Sequence, residues 1–211
     1  MGIIVANMFL TLDGVYQSPG AADEDPEGGF AYGGWQAPFF DEASGEAIGA
    51  VIDRIDALLL GRKTYDIFAS YWPHAGEDSP IAVKFNEVPK YVVSTTLTEP
   101  AWAGTTALHD AMAAAHLRER HDEVHVFGSG DLLQSLFTED VVGRLNLFLY
   151  PLTVGRGKRL FGSGTIPASF RLAGPARTFE KGAVGLVYER AGDVETGNMN
   201  EVAAPRGGNG G

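Results

Sequence analysis

Three apolar, strand-like segments of this chain each end in small, hydroxyl-bearing or basic residues. The three endings are Gly61-Arg62-Lys63-Thr64, Ser94-Thr95-Thr96 and Gly128-Ser129-Gly130. In open α/β sheets, ligands lie at the carboxyl ends of the strands. Glycine lets backbone N–H groups approach a phosphate closely, and a following helix adds the positive end of its dipole. Any one ending alone would fit an ordinary turn or helix cap, but their joint occurrence predicts one cleft for a phosphate-bearing ligand.

The composition is that of a water-soluble protein with one sizeable core. The chain has 211 residues, of which 45% are hydrophobic and 20% charged, and it contains no cysteine. Disulfides and thiolate chemistry are therefore excluded. We find neither a membrane-spanning apolar run nor a signal peptide at the start, so we expect a cytoplasmic protein.

The net charge of −11 is concentrated near the N-terminus, since no Lys or Arg precedes Arg54. This distribution fits a solvated acidic face, or a stretch lining part of a site that disfavours anionic substrates. General binding to nucleic acid requires clustered cations and is not expected.

Strands alternate with helices through most of the chain. Residues 2–11 read as a central strand, 13–38 as a long loop that could form a lid, and 39–54 and 63–71 as helices. Residues 170–180 and 183–190 read as a closing hairpin that turns at Lys181-Gly182. The pattern predicts an α/β domain over residues 1–190 with a mixed, mostly parallel sheet and a C-terminal antiparallel hairpin. Residues 191–211 are Gly-rich and predict a disordered tail.

Several familiar signatures are missing from the sequence. No G-x-G-x-x-G follows a strand, the Gly61 segment lacks P-loop spacing, and no Ser lies in G-x-S-x-G. The five histidines form no H-E-x-x-H, so no metal site is expected.

Five segments in order resemble the dihydrofolate-reductase-like superfamily, specifically the reductase half of the bifunctional riboflavin-biosynthesis deaminase/reductase. They are Thr11–Gly14, Ala57–Tyr65, Val93–Thr96, Val126–Leu133 and Tyr150–Phe161, and the resemblance covers about residues 2–190. It implies a three-layer α/β/α sandwich, an NADPH-dependent reductase with a small-molecule substrate, and a homodimer.

The resemblance also implies which residues hold the cofactor. Gly61, Arg62 and Thr64 would hold its phosphates. Ser94, Thr95 and Thr96 would surround the adenosine end with its 2′-phosphate. The pyrophosphate would lie against Gly128, Ser129, Gly130 and Leu132. Some dihydrofolate reductases carry a basic residue where this chain has Asp131, and we expect Asp131 to cap the following helix instead.

Three carboxylates are candidates for the catalytic chemistry. Asp13 matches the Asp of the riboflavin-type reductases, whereas Asp41 and Glu42 lie where dihydrofolate reductases carry their buried carboxylate. An Asp-Gly turn explains Asp13 equally simply, and an acidic helix start explains Asp41 and Glu42. Five aromatic residues could wall a flat substrate or pack in the core: Trp35, Phe39, Phe40, Tyr71 and Trp72.

These observations favour an NADPH-dependent oxidoreductase that transfers a hydride to a small heterocycle, such as a pterin-like or other conjugated imine or carbonyl compound. The N-terminal stretch offers no cation for a phosphorylated ribosyl pyrimidine, and the deaminase half is missing from the chain. The riboflavin intermediate is therefore disfavoured as substrate. The alternative is a catalytically silent nucleotide-binding module, acting as a sensor or a partner-binding protein.

Overall fold

The computed structural model describes residues 1–76, 78–162 and 165–199. Its strands, in chain order, are β1 Ile3–Thr11, β2 Ala57–Gly61, β3 Lys90–Val93, β4 Thr105–Leu108, β5 Glu123–Phe127, β6 Val142–Tyr150, β7 Ser169–Leu172, β8 Arg177–Thr178 and β9 Val184–Gly192. Its α-helices are α1 Glu42–Ile52, α2 Arg62–Tyr71, α3 Pro80–Glu87, α4 Ala111–Ala115 and α5 Gly130–Thr138.

All nine described strands form one mixed sheet. The order is β4-β3-β2-β5-β1-β6-β9-β7, and β8 pairs with β9 beside β7. Strands β1 to β6 are mutually parallel, whereas β9 runs antiparallel to β6. The carboxyl ends of β1, β2, β3, β5 and β6 therefore meet at the same edge of the sheet, which we call the carboxyl edge.

Helices cover both faces of this sheet, because its inner strands are apolar on both sides. Strand β2 illustrates the arrangement: Leu59 packs in the cluster beneath α4 and α5, while Leu58 and Leu60 pack with residues of α1, α2 and α3. This alternation is the two-residue period of a strand. The three-layer fold predicted from the sequence is confirmed.

Two predicted elements differ from the structure in extent. The sequence pattern predicts a helix over residues 110–120 and a strand over residues 144–154. In the structure the helix gives way after Ala115 to a 3-10 turn, and the strand ends at Tyr150. Pro151 follows Tyr150 and has no N–H with which to continue the ladder.

The C-terminal hairpin forms with a break in its first strand. Strands β7 and β8 both pair with β9, and the turn between Phe179 and Ala183 includes the predicted Lys181-Gly182. Strand β9 continues to Gly192 and so includes the first two residues of the predicted tail. Residues 200–211 lie outside the described part of the chain.

No helix among the described residues combines the length and the apolar character needed to cross a lipid bilayer.

Lys90 is a buried cation at the start of β3. Its Nζ donates to the carbonyl oxygens of Phe85 (3.0 Å) and Asn86 (2.8 Å) and lies 4.8 Å from the Trp102 ring centroid. Burial lowers the pKa of Lys90 from 10.5 to about 8. The folded protein therefore releases this proton at lower pH than the unfolded chain does.

This difference predicts that Lys90 makes stability rise with pH. Between about pH 8 and 10.5 the unfolded chain binds more protons at this residue, so its contribution to the free energy of unfolding increases. Relative to Lys90→Met, wild type should gain roughly 2 kcal/mol between pH 8 and 10, measured by urea denaturation. Lys181→Met, at an exposed position, should keep the wild-type slope. Parallel curves for wild type and Lys90→Met would contradict the prediction.

Candidate functional site

The three strand endings that the sequence singled out lie side by side at the carboxyl edge. The Gly61 N–H donates to Ser129 Oγ at 2.9 Å, which joins the ends of β2 and β5. Arg62 Nη1 donates to Thr96 Oγ1 at 3.3 Å, which joins the end of β2 to the turn after β3. Thr64 Oγ1 lies 3.7 Å from the position that a Cβ on Gly128 would take. Residues distant in sequence thus form one continuous surface.

Helices α2 and α5 both begin at this surface, and in neither does the N-cap residue itself provide a capping side chain. The N-cap residues are Gly61 for α2 and Ser129 for α5, and neither supplies a side chain that accepts a hydrogen bond from its own helix. The other three described α-helices are capped by Asp41, Ser79 and Asp110. Uncapped helix starts leave backbone N–H groups and positive dipole ends available to an anion.

The loop between β5 and α5 is shaped like an anion-binding nest. Gly128 and Ser129 have φ values of 54° and 56°, in the left-handed region. Successive residues in turned conformations point their N–H groups into a shared concavity. Ser129 is a non-glycine residue in this region, and its hydrogen bond with Gly61 helps hold it there.

The remaining residues predicted to bind the cofactor differ in the chemical groups that they can present to a ligand. Ser94 Oγ accepts from the N–H groups of Thr96 and Leu97, both at 3.2 Å, and closes the turn after β3. Thr95 and Thr96 are exposed at that turn. The Leu132 side chain is buried in the core, so only its backbone could reach a ligand.

Tyr16 is a site residue that the sequence analysis did not identify. Its ring lies over Gly130, where an added Cβ would come within 2.0 Å of the phenolic oxygen, and the Gly130 N–H hydrogen-bonds to that oxygen. Burial, together with the charges of Asp131 and Asp25, raises the pKa of Tyr16 to about 12, so the phenol is neutral. Its hydroxyl occupies the start of α5. Only its position two residues after Asp13-Gly14 could have pointed to it.

The long loop after β1 is fastened to this edge by ion pairs. Asp25 and Glu27 share Lys63 and Lys158, with N–O distances between 2.5 and 2.8 Å. Burial opposes ionisation of Asp25, but hydrogen bonds from both lysines hold its pKa below the usual range. This part of the acidic stretch is therefore a neutralised clamp that fixes the loop beside Gly61.

Asp13 lies at the end of β1 and anchors the segment that follows β6. It accepts from Thr11 Oγ1 (2.6 Å), from the N–H of Gly155 (2.9 Å) and from Arg159 Nη2 (3.3 Å). The hydrogen bond from Thr11, together with those from Gly155 and Val154, lowers the pKa of Asp13. It is an ionised group at the carboxyl edge.

Asp41 caps α1 in a reciprocal capping box with Ser44. Its carboxylate also accepts from the N–H of Lys181 at 3.1 Å, and the N–H groups of Ser44 and Lys181 lower its pKa. Glu42 is exposed in the first turn of α1. These contacts give Asp41 a structural role at the start of α1, which the dipole also favours.

The five aromatic residues do not form a single wall. Trp35 and Phe39 pack against Tyr150, with ring centroids 5.4 and 6.3 Å away. Trp72 instead packs on Phe85 at 5.0 Å, in the cluster beneath α3.

Asp131 does not cap α5, contrary to expectation. The cap position belongs to Ser129, while Asp131 lies within the first turn with an exposed side chain. An acid there still interacts favourably with the helix dipole.

A mostly parallel sheet closed by antiparallel strands, with helices on both faces, defines a dihydrofolate-reductase-like α/β protein. The chain belongs to the RibD C-terminal domain family, whose model matches residues 3–183. Membership supports a reductase-type function in general terms.

The solved structures that share this fold include the following two. One is a candidate riboflavin biosynthesis protein from Shewanella sp. PV-4, with a TM-score of 0.63 and 20% identity over 90% of this chain and 99% of that chain. The other is a pyrimidine reductase-like protein from Corynebacterium diphtheriae, with a TM-score of 0.57 and 12% identity over 91% of this chain and 93% of that chain. The uncharacterized protein YyaP of Bacillus subtilis is 24% identical over 143 residues, 65% of this chain and 75% of YyaP.

Proposed function

We propose that this protein is an NADPH-dependent reductase acting on a small, conjugated imine or carbonyl compound, with a heterocyclic substrate favoured. The observation that carries the proposal is the pair of uncapped helix starts, α2 and α5, joined through Gly61 and Ser129. A dinucleotide pyrophosphate suits such a surface, because it accepts several N–H groups and complements two helix dipoles.

Each part of the surface has a distinct task in this proposal. The N–H groups following Gly61 and Gly128 would bind the pyrophosphate, and Arg62 with the turn at Ser94–Thr96 would bind the 2′-phosphate. When bound, the reduced nicotinamide supplies the hydride that the substrate carbon accepts. Asp13 would fix the segment at Gly155 beside the reacting groups. Because the pKa values of Asp13 and Asp41 are both lowered, the accompanying proton would come from water.

A silent nucleotide-binding module remains the second candidate, and the same two carboxylates favour it. Both Asp13 and Asp41 are engaged in hydrogen bonds that build the local structure and keep them ionised. Tyr16 also covers the start of α5, so a bound pyrophosphate would require its hydroxyl to move. Consumption of NADPH with a panel of imines and carbonyls, including dihydrofolate, separates the two functions.

Arg62→Ala should weaken NADPH binding by roughly 10- to 100-fold and NADH binding by much less. The guanidinium can form charge-assisted hydrogen bonds with a 2′-phosphate that NADH lacks. Calorimetric titration of both coenzymes measures the difference. Arg171→Ala, which removes an exposed arginine of β7 that pairs with Glu189 of β9, is the matched control and should change neither affinity. An equal loss for both coenzymes would remove Arg62 from 2′-phosphate recognition.

Asp13→Asn should lower turnover about tenfold while leaving NADPH affinity within a factor of about two. The amide would lose the charge that holds Arg159 and would present an N–H group toward donors at Gly155 and Arg159. Steady-state kinetics with a substrate found in the panel, together with calorimetry, gives both values. Asp23→Asn, at an exposed loop position, is the control. Unchanged turnover would exclude Asp13 from the mechanism.

A further inference from the structure

An open cleft of about 520 Å³ lies between α1 and the face of the sheet that α1 covers. Helix α1 contributes Ala47, Ala50 and Val51, the segment between β7 and β8 forms the outer side, and β5, β6 and β9 form the floor. The lining includes Glu123 and Arg144 near the amino ends of β5 and β6, whereas the candidate site lies at the carboxyl ends. A cleft of this size can hold a small organic molecule.

A row of polar side chains crosses the sheet beneath this cleft. Asn146 of β6 is paired in register with Asn7 of β1, and His125 of β5 hydrogen-bonds to Asn7. All three residues are buried, although Phe9 and Phe148, two positions further along β1 and β6, are aromatic. Buried polar groups are costly unless they are hydrogen-bonded, so the partners of these side chains determine their orientation.

The Val126 carbonyl oxygen fixes the orientation of the whole row. It accepts from Asn7 Nδ2 at 3.2 Å, which leaves Asn7 Oδ1 to accept from Asn146 Nδ2 at 2.8 Å. Asn7 Nδ2 also donates to His125 Nδ1 at 3.1 Å, and His125 Nε2 donates to Glu123 at 3.1 Å. Rotating the Asn146 carboxamide by half a turn would set two amide oxygens against each other, so its present orientation is held.

This orientation leaves Asn146 Oδ1 without a partner on the wall of the cleft. Asn146 is only 6% exposed, and its Oδ1 accepts no hydrogen bond from the residues that the structure describes. Among those residues, the unpaired side-chain atoms that are completely enclosed are Thr105 Oγ1 and Arg190 Nη1, so Asn146 Oδ1 keeps an open side. Because Asn146 lines the cleft, a molecule there can donate an N–H or O–H group to this oxygen.

Arg177 provides a second polar contact, at the rim of the cleft. Its guanidinium carbon lies 5.7 Å from the centroid of the Phe179 ring, and the described part of the chain gives it no carboxylate partner. The two glutamates of the lining, by contrast, are each paired with two arginines. These pairs are Glu123 with Arg54 and Arg144, and Glu189 with Arg144 and Arg171. An anionic group in the cleft would therefore be attracted to Arg177, whose charge no carboxylate neutralises.

The surface between these two polar contacts is aromatic. Phe148 and Phe179 stack with their ring centroids 6.2 Å apart and their planes 19° apart. Arg177 is paired with Gly185 of β9, which is paired with Phe148 of β6. Arg177 and Asn146 are therefore separated by about 10 Å across the sheet and about 7 Å along it. A flat molecule with polar groups at opposite ends can contact both side chains.

We propose that this cleft binds a flat aromatic monoanion, whose acid group pairs with Arg177 and whose N–H or O–H group at the other end donates to Asn146 Oδ1. The lining contains none of the residues assigned to NADPH or to substrate reduction. The proposal therefore does not depend on the proposed reductase function.

Three aromatic probes of similar size test the proposal on the wild-type protein without NADPH. 4-Hydroxybenzoate carries both polar groups, 4-methylbenzoate lacks the donor, and 4-hydroxybenzamide lacks the charge. Titrations followed by amide chemical shifts in NMR locate each probe. We expect 4-hydroxybenzoate to shift the amides of Asn146, Gly185 and Val187, and to bind about tenfold more tightly than either other probe.

Two variants identify the contacts. Asn146→Ser keeps a hydroxyl that can donate to Asn7 Oδ1 but withdraws the acceptor from the cleft, so the preference for hydroxyl over methyl should disappear. Arg177→Met should abolish the preference for carboxylate over amide. Arg120→Met, which removes another exposed arginine outside the cleft, is the matched control and should change neither preference. If Asn146→Ser does not fold, the three probes on wild type and Arg177→Met still decide the outcome.

Four outcomes would overturn the proposal. Equal affinity for 4-hydroxybenzoate and 4-methylbenzoate would mean that water satisfies Asn146 Oδ1. Binding of 4-hydroxybenzamide as tight as that of 4-hydroxybenzoate would contradict the anionic class of ligand. Shifts confined to Gly61 and Gly128 would place the probes at the carboxyl edge. No shifts with any probe would mean that the cleft does not bind such molecules.

Discussion

Ser129→Asp should reduce NADPH affinity at least 100-fold while leaving the ligand-free protein as stable as wild type or more so. Ser129 is the N-cap of α5 with φ 56°, a backbone conformation that Asp tolerates, and a carboxylate there would complement the helix dipole. The same carboxylate would take the place assigned to the pyrophosphate and repel it. Binding and stability should therefore change in opposite directions, which calorimetry and urea denaturation measure together.

Ser129→Asn separates the charge from the shape of the new side chain. The amide has nearly the same size as the carboxylate and also suits an N-cap in this conformation, but it carries no charge. We expect it to weaken NADPH by no more than about tenfold. If Ser129→Asp bound NADPH like wild type, the pyrophosphate could not lie at the start of α5.

Gly157→Ala should destabilise the protein by about 3 kcal/mol. Gly157 has a φ of +117°, and an added Cβ would lie 2.8 Å from the Phe30 ring and 2.9 Å from Val15. Backbone strain contributes about 1–2 kcal/mol and overpacking about 1–3 kcal/mol. Phe30 and Val15 anchor the loop that carries Asp25, so a loss of packing here should also loosen the clamp at Lys63.

Gly155→Ala isolates the strain from the clash. Gly155 also has a positive φ, of +74°, but an added Cβ would meet no atom within 4 Å. We expect it to cost only about 1 kcal/mol in the free energy of unfolding. Equal destabilisation by both substitutions would show that the loop moves freely away from Gly157, contrary to the packing described.

The layers of the fold could be predicted from the sequence because the strands are strongly apolar and are separated by segments with clear turn and helix patterns. Leu58, Leu59 and Leu60 predict a strand covered on both faces, and the structure confirms it. The end of α4 was harder to predict from the sequence. Residues His116 to Glu119 are compatible with a continued α-helix, and tertiary contacts determine the tighter 3-10 turn. The break between β7 and β8 likewise depends on pairing with β9.

At the candidate site, the sequence predicted the three strand endings but not the contacts between them. The hydrogen bond from Gly61 to Ser129 spans 68 positions, and no local pattern encodes it. The position of Tyr16 and the clamp at Lys63 depend on how the long loop folds back onto the edge, which periodicity does not specify. The sequence predicts that a polar residue stands at the start of α5 but not which one occupies the N-cap position. The prediction chose Asp131, whereas the N-cap residue is Ser129.

Calorimetric titration of the wild-type protein with NADPH and with NADH tests the central claim most directly. We expect one coenzyme molecule to bind per chain at micromolar or lower concentration, more tightly for NADPH, and crystals soaked in it to hold the pyrophosphate between Gly61 and Gly128. An absence of heat with either coenzyme, together with soaked crystals that hold neither, would contradict the account.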